Sequence, residues 1–368
     1  MKLEQLDIND VRSIRDARLE PGPGLNVLIG GNGAGKTSVL EALHLLAYGR
    51  SFRGRVRDGL IRTGASALQV FARWSEQDGT QRHQVGLRHA GSEWQGRLDG
   101  ADVAQLSELC TALAAVTFEP GSHALLSGGG EPRRRLLDWG LFHVEPEFLP
   151  VWRRHARALK QRNALLKAGG ANAALDAWDS ELAAAGESLD RHRRAYVETL
   201  ESQVERWARE LIPELGPAQH SYQPGWRREE LTLADALLVN RERDRQLGHT
   251  TAGPHRADLL LGFAARPARE PLSRGQSKLA ALALLLAQAE DFRIRRGEWP
   301  LILLDDLASE LDRGHRHALL GALVASGAQV FVTGTELDAL ELDPAWSTTM
   351  FHVEHGVIQP AESRICGA

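Results

Sequence analysis

The feature that most constrains this chain is the glycine-rich stretch GGNGAGKTS at residues 30–38. An apolar run, LNVLIG, enters it, and a segment with Leu40, Leu43 and Leu46 at helical spacing follows, with Gly49 as its C-cap. Strand, glycine-rich loop and helix in this order form the context in which such a loop binds phosphate groups. The sequence therefore predicts an α/β fold with a nucleotide site.

The chemistry of that loop assigns individual roles. Backbone N–H groups and the N-terminus of the following helix bind the phosphates, and Gly33 and Gly35 permit the close backbone approach. Lys36 brings a positive charge to the β and γ phosphates, and the Thr37 hydroxyl is a Mg²⁺ ligand. The predicted ATP contacts of the loop are Gly30, Gly31, Asn32, Gly33, Ala34, Gly35, Lys36, Thr37 and Ser38.

A second half of the nucleotide site is predicted in PLILLDDLASELD, residues 300–312. Asp305 ends a run of four aliphatic residues and is predicted to hold Mg²⁺, directly or through water. Asp306 is placed to orient or deprotonate the attacking water; the alternative is that it caps the end of the strand. The predicted catalytic residues are thus Lys36, Asp305 and Asp306.

Size and composition bound the class of protein. A chain of 368 residues holds two domains, or one domain with a large insertion. The formal net charge of −4 means that any nucleic-acid binding comes from local patches. Two distant cysteines, the lack of an apolar signal-peptide core and an apolar helix too short to span a bilayer predict a soluble cytoplasmic protein.

The composition and the spacing of apolar residues change along the chain. Strand-like runs precede a long stretch rich in Ala, Leu, Arg and Glu at helical spacing, and strands such as ADLLLGF and PLILLDD return after about residue 250. We therefore expect an ATPase lobe in two parts, 1–125 and 246–368, interrupted by a helical lobe at 126–245.

The segment PLSRGQSKLAALALLLAQAEDF, from residue 271, resembles the signature motif of ATP-binding-cassette ATPases; alone, LSRGQ would fit a plain helix N-cap. In that family the motif closes on the γ-phosphate bound by a second subunit, which implies roles for Ser273, Gly275 and Gln276. Asp312 lies in a stretch that looks like the D-loop, and Thr333 stands where a switch histidine is usual. Threonine there, and Asp306 where glutamate is common, imply slow hydrolysis.

A more specific resemblance extends over nearly the whole chain. Several stretches are similar to those of the RecF family, the bacterial recombinational-repair ATPases: GGNGAGKTSVLEAL, GRSFR, VTFEPGSHALLSGGGEPRRRLLD, LKQRNALLK, TAGPHRADLLL, LSRGQSK and LLDDLASELD. Ala257 in GPHRAD and Ser277 in RGQSK depart from the residues expected there, an acid and glutamine.

This resemblance implies a fold and a function. The fold is α/β, an ABC-type P-loop ATPase lobe with a mixed sheet, interrupted by a mainly helical second lobe. The function is an ATP-driven homodimer that binds double-stranded DNA and single-strand/double-strand junctions, with ATP and Mg²⁺ as cofactors and slow hydrolysis releasing the DNA. The partners are RecR and RecO, which together with this protein target RecA loading to gaps.

Arginine clusters supply the cations that DNA backbone binding needs. The first choice is Arg50, Arg53, Arg55 and Arg57, the cluster least diluted by acids; two others are Arg133–Arg135 and Arg153, Arg154 and Arg157. The alternative is that these arginines form solvated faces or internal salt bridges. Trp152, Trp178 and Trp207 lie in helical segments, where core packing is expected. His255 is predicted to be structural, with a catalytic role as the alternative.

Two rival functions remain. A transporter-associated ATPase would need a membrane partner, and the long insert between Lys36 and Ser273 argues against it. A nuclease of the overcoming-lysogenization type would need a separate acidic metal-binding domain after the ATPase. Too little chain follows Asp312 to supply one.

Overall fold

The computed structural model describes residues 1–54, 59–76, 79–91, 93–265 and 272–361. The chain divides into two compact units. We call Met1–Ser122 with Phe292–Ala368 the sheet unit, and His123–Asp291 the helical unit. A helical segment thus interrupts an α/β unit, and the α/β fold class is confirmed. Among the described residues, no helix combines the length and the apolar character needed to cross a membrane.

The described residues of the sheet unit form two six-stranded sheets. One is antiparallel, in the order β2-β1-β4-β5-β6-β7, and the other is mixed, in the order β14-β13-β3-β12-β11-β8. In the antiparallel sheet the strands are β1 (Lys2–Val11), β2 (Ile14–Leu19), β4 (Leu68–Ser75), β5 (Arg82–Ala90), β6 (Glu93–Leu98) and β7 (Ala101–Asp102). In the mixed sheet they are β3 (Leu25–Ile29), β8 (Ala115–Phe118), β11 (Leu301–Leu304), β12 (Val330–Gly334), β13 (Thr348–Glu354) and β14 (Val357–Ala361).

Helices pack against this mixed sheet, and its strands β8, β11 and β12 are short, mainly apolar runs because both of their faces are buried. Every residue of β11 and β12 is buried. The helices of the sheet unit are α1 (Lys36–Tyr48), α2 (Leu106–Ala112), α10 (Leu307–Glu310), α11 (Arg313–Ala325) and α12 (Leu337–Leu340). Helix α1 ends as predicted at Gly49, which has a φ of 64° and donates its N–H to Leu45 O.

The helical unit is built around α6, which runs for 40 residues and is therefore about 60 Å long. Its helices are α3 (Ala124–Ser127), α4 (Gly130–Val144), α5 (Phe148–Lys167), α6 (Asn172–Leu211), α7 (Leu233–Val239), α8 (Arg241–Leu247) and α9 (Arg274–Arg296), of which the residues up to Asp291 belong to this unit. Two strands, β9 (Ala218–Gln223) and β10 (Asp258–Phe263), pair antiparallel.

The helical unit extends past its predicted end at residue 245 to Asp291. The strand ADLLLGF, which we assigned to the returning ATPase lobe, is β10, and it pairs with β9 from within the helical segment. Helix α9 is tied to the same unit, because Trp207 Nε1 on α6 donates to Glu290 Oε2 at 2.9 Å. The end of the helical unit is therefore set by the pairing of β10 with β9 and by the packing of α9. Both depend on contacts between segments that are distant in sequence.

A charged network lies inside the helical unit. The guanidinium of Arg162 is fully buried and donates to carboxylates of Asp179 and Asp244, the latter at 2.7 Å, and to Thr250 Oγ1 at 2.9 Å. Asp179 also accepts a hydrogen bond from Arg241. Since a buried ion needs a partner of opposite charge, this network ties α5, α6 and α8 to one another.

One buried and one half-buried histidine, His155 and His255, are expected to make the helical unit sensitive to acid. Burial lowers the pKa of His155 to about 3 and that of His255 to about 4, with nearby Arg193 and Arg256 adding to the effect. A histidine whose folded pKa is lowered gives stability that is complete above its ordinary pKa, about 6.5, and is lost as the pH falls below that value. We expect the free energy of unfolding to fall by about 1.5 kcal/mol per histidine between pH 6.5 and pH 5.

Urea titrations at a series of pH values, followed by helical circular dichroism, measure this loss. His155→Leu should bind one proton fewer on unfolding, so its free energy of unfolding should depend less steeply on pH than that of the wild type. His249→Leu, at a half-exposed position, should show the wild-type dependence. If the free energy of unfolding of His155→Leu depended on pH as steeply as that of the wild type, His155 would not be a source of the acid sensitivity.

Candidate nucleotide site

Strand order brings the two predicted halves of the nucleotide site together. In the mixed sheet β12 lies between β3 and β11 and is parallel to both. The carboxyl ends of parallel strands meet at one edge of a sheet, and ligands bind there. The loop at 30–38 follows β3, and Asp305 follows β11, so both lie at this edge with Thr333 of β12 between them.

The backbone of the loop has the conformation that glycine permits. Gly33 has a φ of 77° and Gly35 a φ of 117°, in the region that side chains with a Cβ disfavour. At Gly30 a Cβ atom would lie 2.0 Å from Val353 O, so any larger residue would clash with β13. These three glycines are therefore required by geometry.

Lys36 is buried, and its ammonium group faces the loop. Nζ donates to Gly30 O at 2.7 Å and to Gly31 O at 2.9 Å. Burial lowers the pKa of Lys36, while the charges of Asp306 and Asp305 oppose that shift. The lysine is thus held at the loop by backbone oxygens, with two carboxylates near enough to act on its charge.

The carboxylate of Asp305 accepts hydrogen bonds from two hydroxyl groups. Thr37 Oγ1 donates to Asp305 Oδ1 at 2.9 Å, and Thr333 Oγ1 donates to the same oxygen at 2.8 Å. Asp305 is 4% exposed, and this burial raises the pKa of its carboxyl group, while the two hydroxyls oppose the rise. The two residues predicted as Mg²⁺ ligands, Thr37 and Asp305, are therefore in direct contact.

Asp306 has a strained backbone. Its φ of 50° lies in the left-handed region, which is uncommon for a residue with a side chain. Its N–H donates to Thr333 Oγ1 at 2.8 Å, and its side chain makes no capping bond to α10. The absence of a helix cap does not test the alternative that Asp306 only caps the end of the strand, and the catalytic role stays a prediction.

Thr333 therefore links the two acids, because its hydroxyl donates to one and accepts from the backbone of the other. The nucleotide contact of Thr333 was predicted from the resemblance to ATP-binding-cassette ATPases, in which a switch histidine usually occupies this position. The sequence did not predict this bridge, which depends on β12 lying between β3 and β11.

The predicted signature residues lie in the helical unit, at the start of α9. Ser273 Oγ accepts from the N–H of Gln276, and Gln276 Oε1 accepts from the N–H of Ser273, which forms a capping box. Ser273 and Gly275 are exposed. The signature segment is thus both a helix cap and an exposed helix N-terminus.

Asp312 has a local structural role in addition to the predicted nucleotide contact. It is the N-cap of α11, and its Oδ1 accepts from the N–H of His315 at 3.1 Å. These contacts lower the pKa of the Asp312 carboxyl group. His317, two residues beyond His315, stacks on Trp346, so the two rings have separate partners.

One arginine predicted to bind DNA, Arg53, lies near a predicted Mg²⁺ ligand, and its DNA contact stays a prediction. Burial raises the pKa of Asp305, and the charge of Arg53 opposes that rise. The Arg53 N–H donates to Ser51 Oγ, and the Ser51 hydroxyl donates to the buried carboxylate of Glu41, which Arg12 also binds through two nitrogens. Sequence reasoning missed this network, although Glu41 and Ser51 lie in two of the family-like stretches.

The other DNA-binding predictions have mixed outcomes. Burial lowers the pKa of His44, and the charge of Arg50, which is exposed, adds to that shift. Arg55 and Arg57 lie outside the described residues. In the second and third clusters Arg133 pairs with Asp258, Arg135 with Glu131 and Arg154 with Glu181. For these three arginines the structure favours the alternative of internal ion pairs.

Comparison with known proteins places this chain in a family. The family described as RecF/RecN/SMC N terminal domain matches residues 2–359. The DNA replication and repair protein RecF of Stenotrophomonas maltophilia (strain R551-3) is 60% identical over 97% of this chain and 99% of its own length. That of Xanthomonas axonopodis pv. citri (strain 306) is 59% identical over 97% and 98%.

Solved structures show the same fold. The structure of the recombination mediator protein RecF-ATP in the RecFOR pathway superposes with a TM-score of 0.87, at 25% identity and over 98% of each chain. An SmcHead bound to the C-winged helix domain of ScpA superposes with a TM-score of 0.60 at 14% identity, over 98% of this chain and 97% of that one, a likeness of fold alone. Family match, identity and fold agree, and the chain belongs to the RecF/RecN/SMC family, among its RecF members.

Proposed function

We propose that this protein is an ATP-gated DNA-binding protein of recombinational repair. Its ATP-bound form is a homodimer that binds duplex DNA and single-strand/double-strand junctions and works with RecO and RecR to target RecA loading to gaps. The observation that carries the proposal is the cluster of Lys36, Thr37 and Asp305 at the edge of the mixed sheet, in a chain about 60% identical to DNA replication and repair proteins.

The residues at that edge suit a magnesium nucleotide. A hydroxyl and a carboxylate in contact at 2.9 Å are the oxygen ligands that Mg²⁺ prefers, so Thr37 and Asp305 would hold the ion. When bound, Mg²⁺ neutralises charge on the phosphate oxygens. The loop N–H groups would bind the phosphates, and Lys36 would exchange its two carbonyl partners for phosphate oxygens.

Hydrolysis would depend on Asp306. Its backbone is fixed by Thr333, and its carboxylate would orient or deprotonate the attacking water. Aspartate in this role and threonine in place of the switch histidine favour slow turnover, because threonine cannot carry a proton as imidazole does. Slow hydrolysis suits a switch that releases DNA, and the transporter-associated alternative is not favoured.

Dimerisation is what would make the switch respond to ATP. Ser273 and Gly275 of one subunit would close on the γ-phosphate held by Lys36 and Thr37 of the other. Since ADP lacks that phosphate, it would have little differential affinity for the closed state.

Sedimentation of the wild type and Lys36→Met with a short labelled duplex, each without nucleotide, with ADP and with ATP, tests the proposal. We expect only the wild type with ATP to form a dimer on DNA. Arg243→Gln, at an exposed position of α8, serves as the control and should behave as wild type. A wild type that dimerises equally with ADP, or that ignores DNA in every state, would refute the proposal.

A further inference from the structure

The turn Gly253–Ala257 of the helical unit has an unusually fixed backbone for a surface turn. Gly253 has a φ of 129°, and its carbonyl accepts from the N–H of Arg256 at 2.8 Å. The turn lies against Gly225, where a Cβ atom would be 2.3 Å from Gly253 O. Ala252, Pro254 and Ala257 are buried. This segment is one of the family-like stretches, and the nucleotide site does not use it.

Two arginines hold the carbonyls on either side of the turn. Arg193 Nη1 donates to Pro254 O at 2.7 Å, and Arg134 Nη1 donates to Ala257 O at 2.7 Å. Arg193 is itself fixed by two hydrogen bonds to the carboxylate of Asp138. The backbone on both sides of Arg256 is therefore positioned by buried or half-buried cations.

Arg256 is the residue that this scaffold presents to solvent. Its side chain is exposed, and within the described ranges it forms no ion pair; its contact with Thr250 O is 3.5 Å long. Arg134 and Arg193 bind the carbonyls of the turn near it, and Arg193 is itself paired with Asp138. A guanidinium that lacks a carboxylate partner and stands on a fixed backbone suits a phosphate group, which it can bind through two nitrogens.

An aromatic ring belongs to the same network. Trp152 of α5 donates Nε1 to Asp138 Oδ2 at 3.2 Å, the carboxylate that also holds Arg193. We expected Trp152 to pack in the core, but 40% of its surface is exposed. One turn further along α5, the ring of His155 lies 6.2 Å from that of His255 in the turn. An indole that is anchored by its N–H and partly exposed offers a surface on which a nucleobase can stack.

We propose that Trp152 and Arg256 form a contact for DNA junctions on the helical unit. Arg256 binds a backbone phosphate, and Trp152 stacks on the first unpaired base where the duplex ends. The inference rests on the proposed function and adds to it the residues that distinguish a junction from plain duplex. Phosphate binding positions the DNA without reading sequence, and stacking accepts any base, as a gap-directed protein requires.

Fluorescence anisotropy in the presence of ATP tests the contact, with a labelled blunt duplex and the same duplex carrying a single-stranded overhang. We expect the wild type to prefer the overhang. Trp152→Ala should lower affinity for the overhang substrate about tenfold and leave the blunt duplex unchanged. Arg256→Gln should weaken binding to both and reduce the slope of log affinity against log salt by about 1.

Matched variants keep this test independent of folding. Trp152→Phe retains a ring and should keep most of the preference, and Arg243→Gln should bind both substrates as the wild type does. ATP-dependent dimerisation should be unchanged in Trp152→Ala and Arg256→Gln, since neither residue lies in the predicted nucleotide contacts.

The outcomes separate this inference from the proposed function. If the wild type binds no DNA with ATP, the proposed function fails and the contact with it. If the wild type prefers the overhang and Trp152→Ala keeps that preference, the contact is refuted while the function stands. The contact would also be overturned if the wild type bound both substrates with equal affinity. The same holds if the variants lost affinity for DNA only when RecR was added.

Discussion

Arg162→Ala should lower the free energy of unfolding of the helical unit by about 3–5 kcal/mol. The guanidinium is fully buried between the carboxylates of Asp179 and Asp244, and Asp244 is itself fully buried. Removing the cation leaves these carboxylates in the interior with less compensating charge, and that cost exceeds the value of the lost hydrogen bonds. Urea denaturation of the full chain, followed by helical circular dichroism, measures the change.

The same helix offers a matched control. Arg154 forms an ion pair with Glu181 in which both side chains are exposed, 54% and 36%. Exposed ion pairs contribute at most about 1 kcal/mol to the free energy of unfolding, so Arg154→Ala should barely change the urea concentration at which the protein unfolds. Combining Arg162→Ala with Asp179→Asn and Asp244→Asn should recover part of the loss, because neutral amides need no cation. Equal effects of the two alanine variants would show that burial does not decide the energy of the pair.

Asp305→Asn should abolish ATP turnover and at the same time stabilise the nucleotide-free protein. Loss of a carboxylate from the proposed Mg²⁺ site should lower turnover by more than about 100-fold. Stability should rise at pH 7 because burial raises the pKa of Asp305, which means that its ionised form is disfavoured in the folded state. The amide oxygen can still accept hydrogen bonds from Thr37 and Thr333.

The pH dependence gives this prediction a second measurement. A carboxyl group with a raised folded pKa gives stability that is complete below its ordinary pKa and is lost as the pH rises through the folded pKa. The difference in melting temperature between Asp305→Asn and wild type should thus be largest near neutral pH and shrink on acidification. Asp338→Asn, at an exposed position of α12, should change neither property. An Asp305→Asn variant that melts below wild type at pH 7 would refute the argument.

The segments that meet at the edge of the mixed sheet could be predicted from sequence largely because each of them is local, while their binding of a nucleotide stays a prediction. The phosphate loop, its flanking strand and helix, and the acids after β11 each occupy one short stretch, and local backbone preferences determine such stretches. Asp306 shows the limit of this reasoning. Its identity was visible in LILLDD, but its left-handed backbone depends on a hydrogen bond from its N–H to Thr333, 27 residues away.

The parts that could not be predicted depend on which distant segments meet. The strand order that puts Thr333 between Thr37 and Asp305 is a property of the whole sheet, as is the pairing of β10 with β9. Burial of Arg162 and exposure of Trp152 oppose the usual behaviour of arginine and tryptophan, and helical periodicity alone gives no sign of either. The neighbours of Arg53 in sequence gave no sign that its charge acts on Asp305, and its DNA contact stays a prediction.

The strand order has a consequence for the synthesis of this protein on the ribosome. Strand β3, at Leu25–Ile29, is among the first segments to be made, yet its two neighbours in the sheet, β12 and β13, begin at Val330 and Thr348. The antiparallel sheet and the helical unit can form while the chain is still growing, since their strands and helices are closer in sequence. The phosphate loop, in contrast, waits for nearly the last strands, so a prematurely ended chain would carry the loop sequence without a site able to hold ATP.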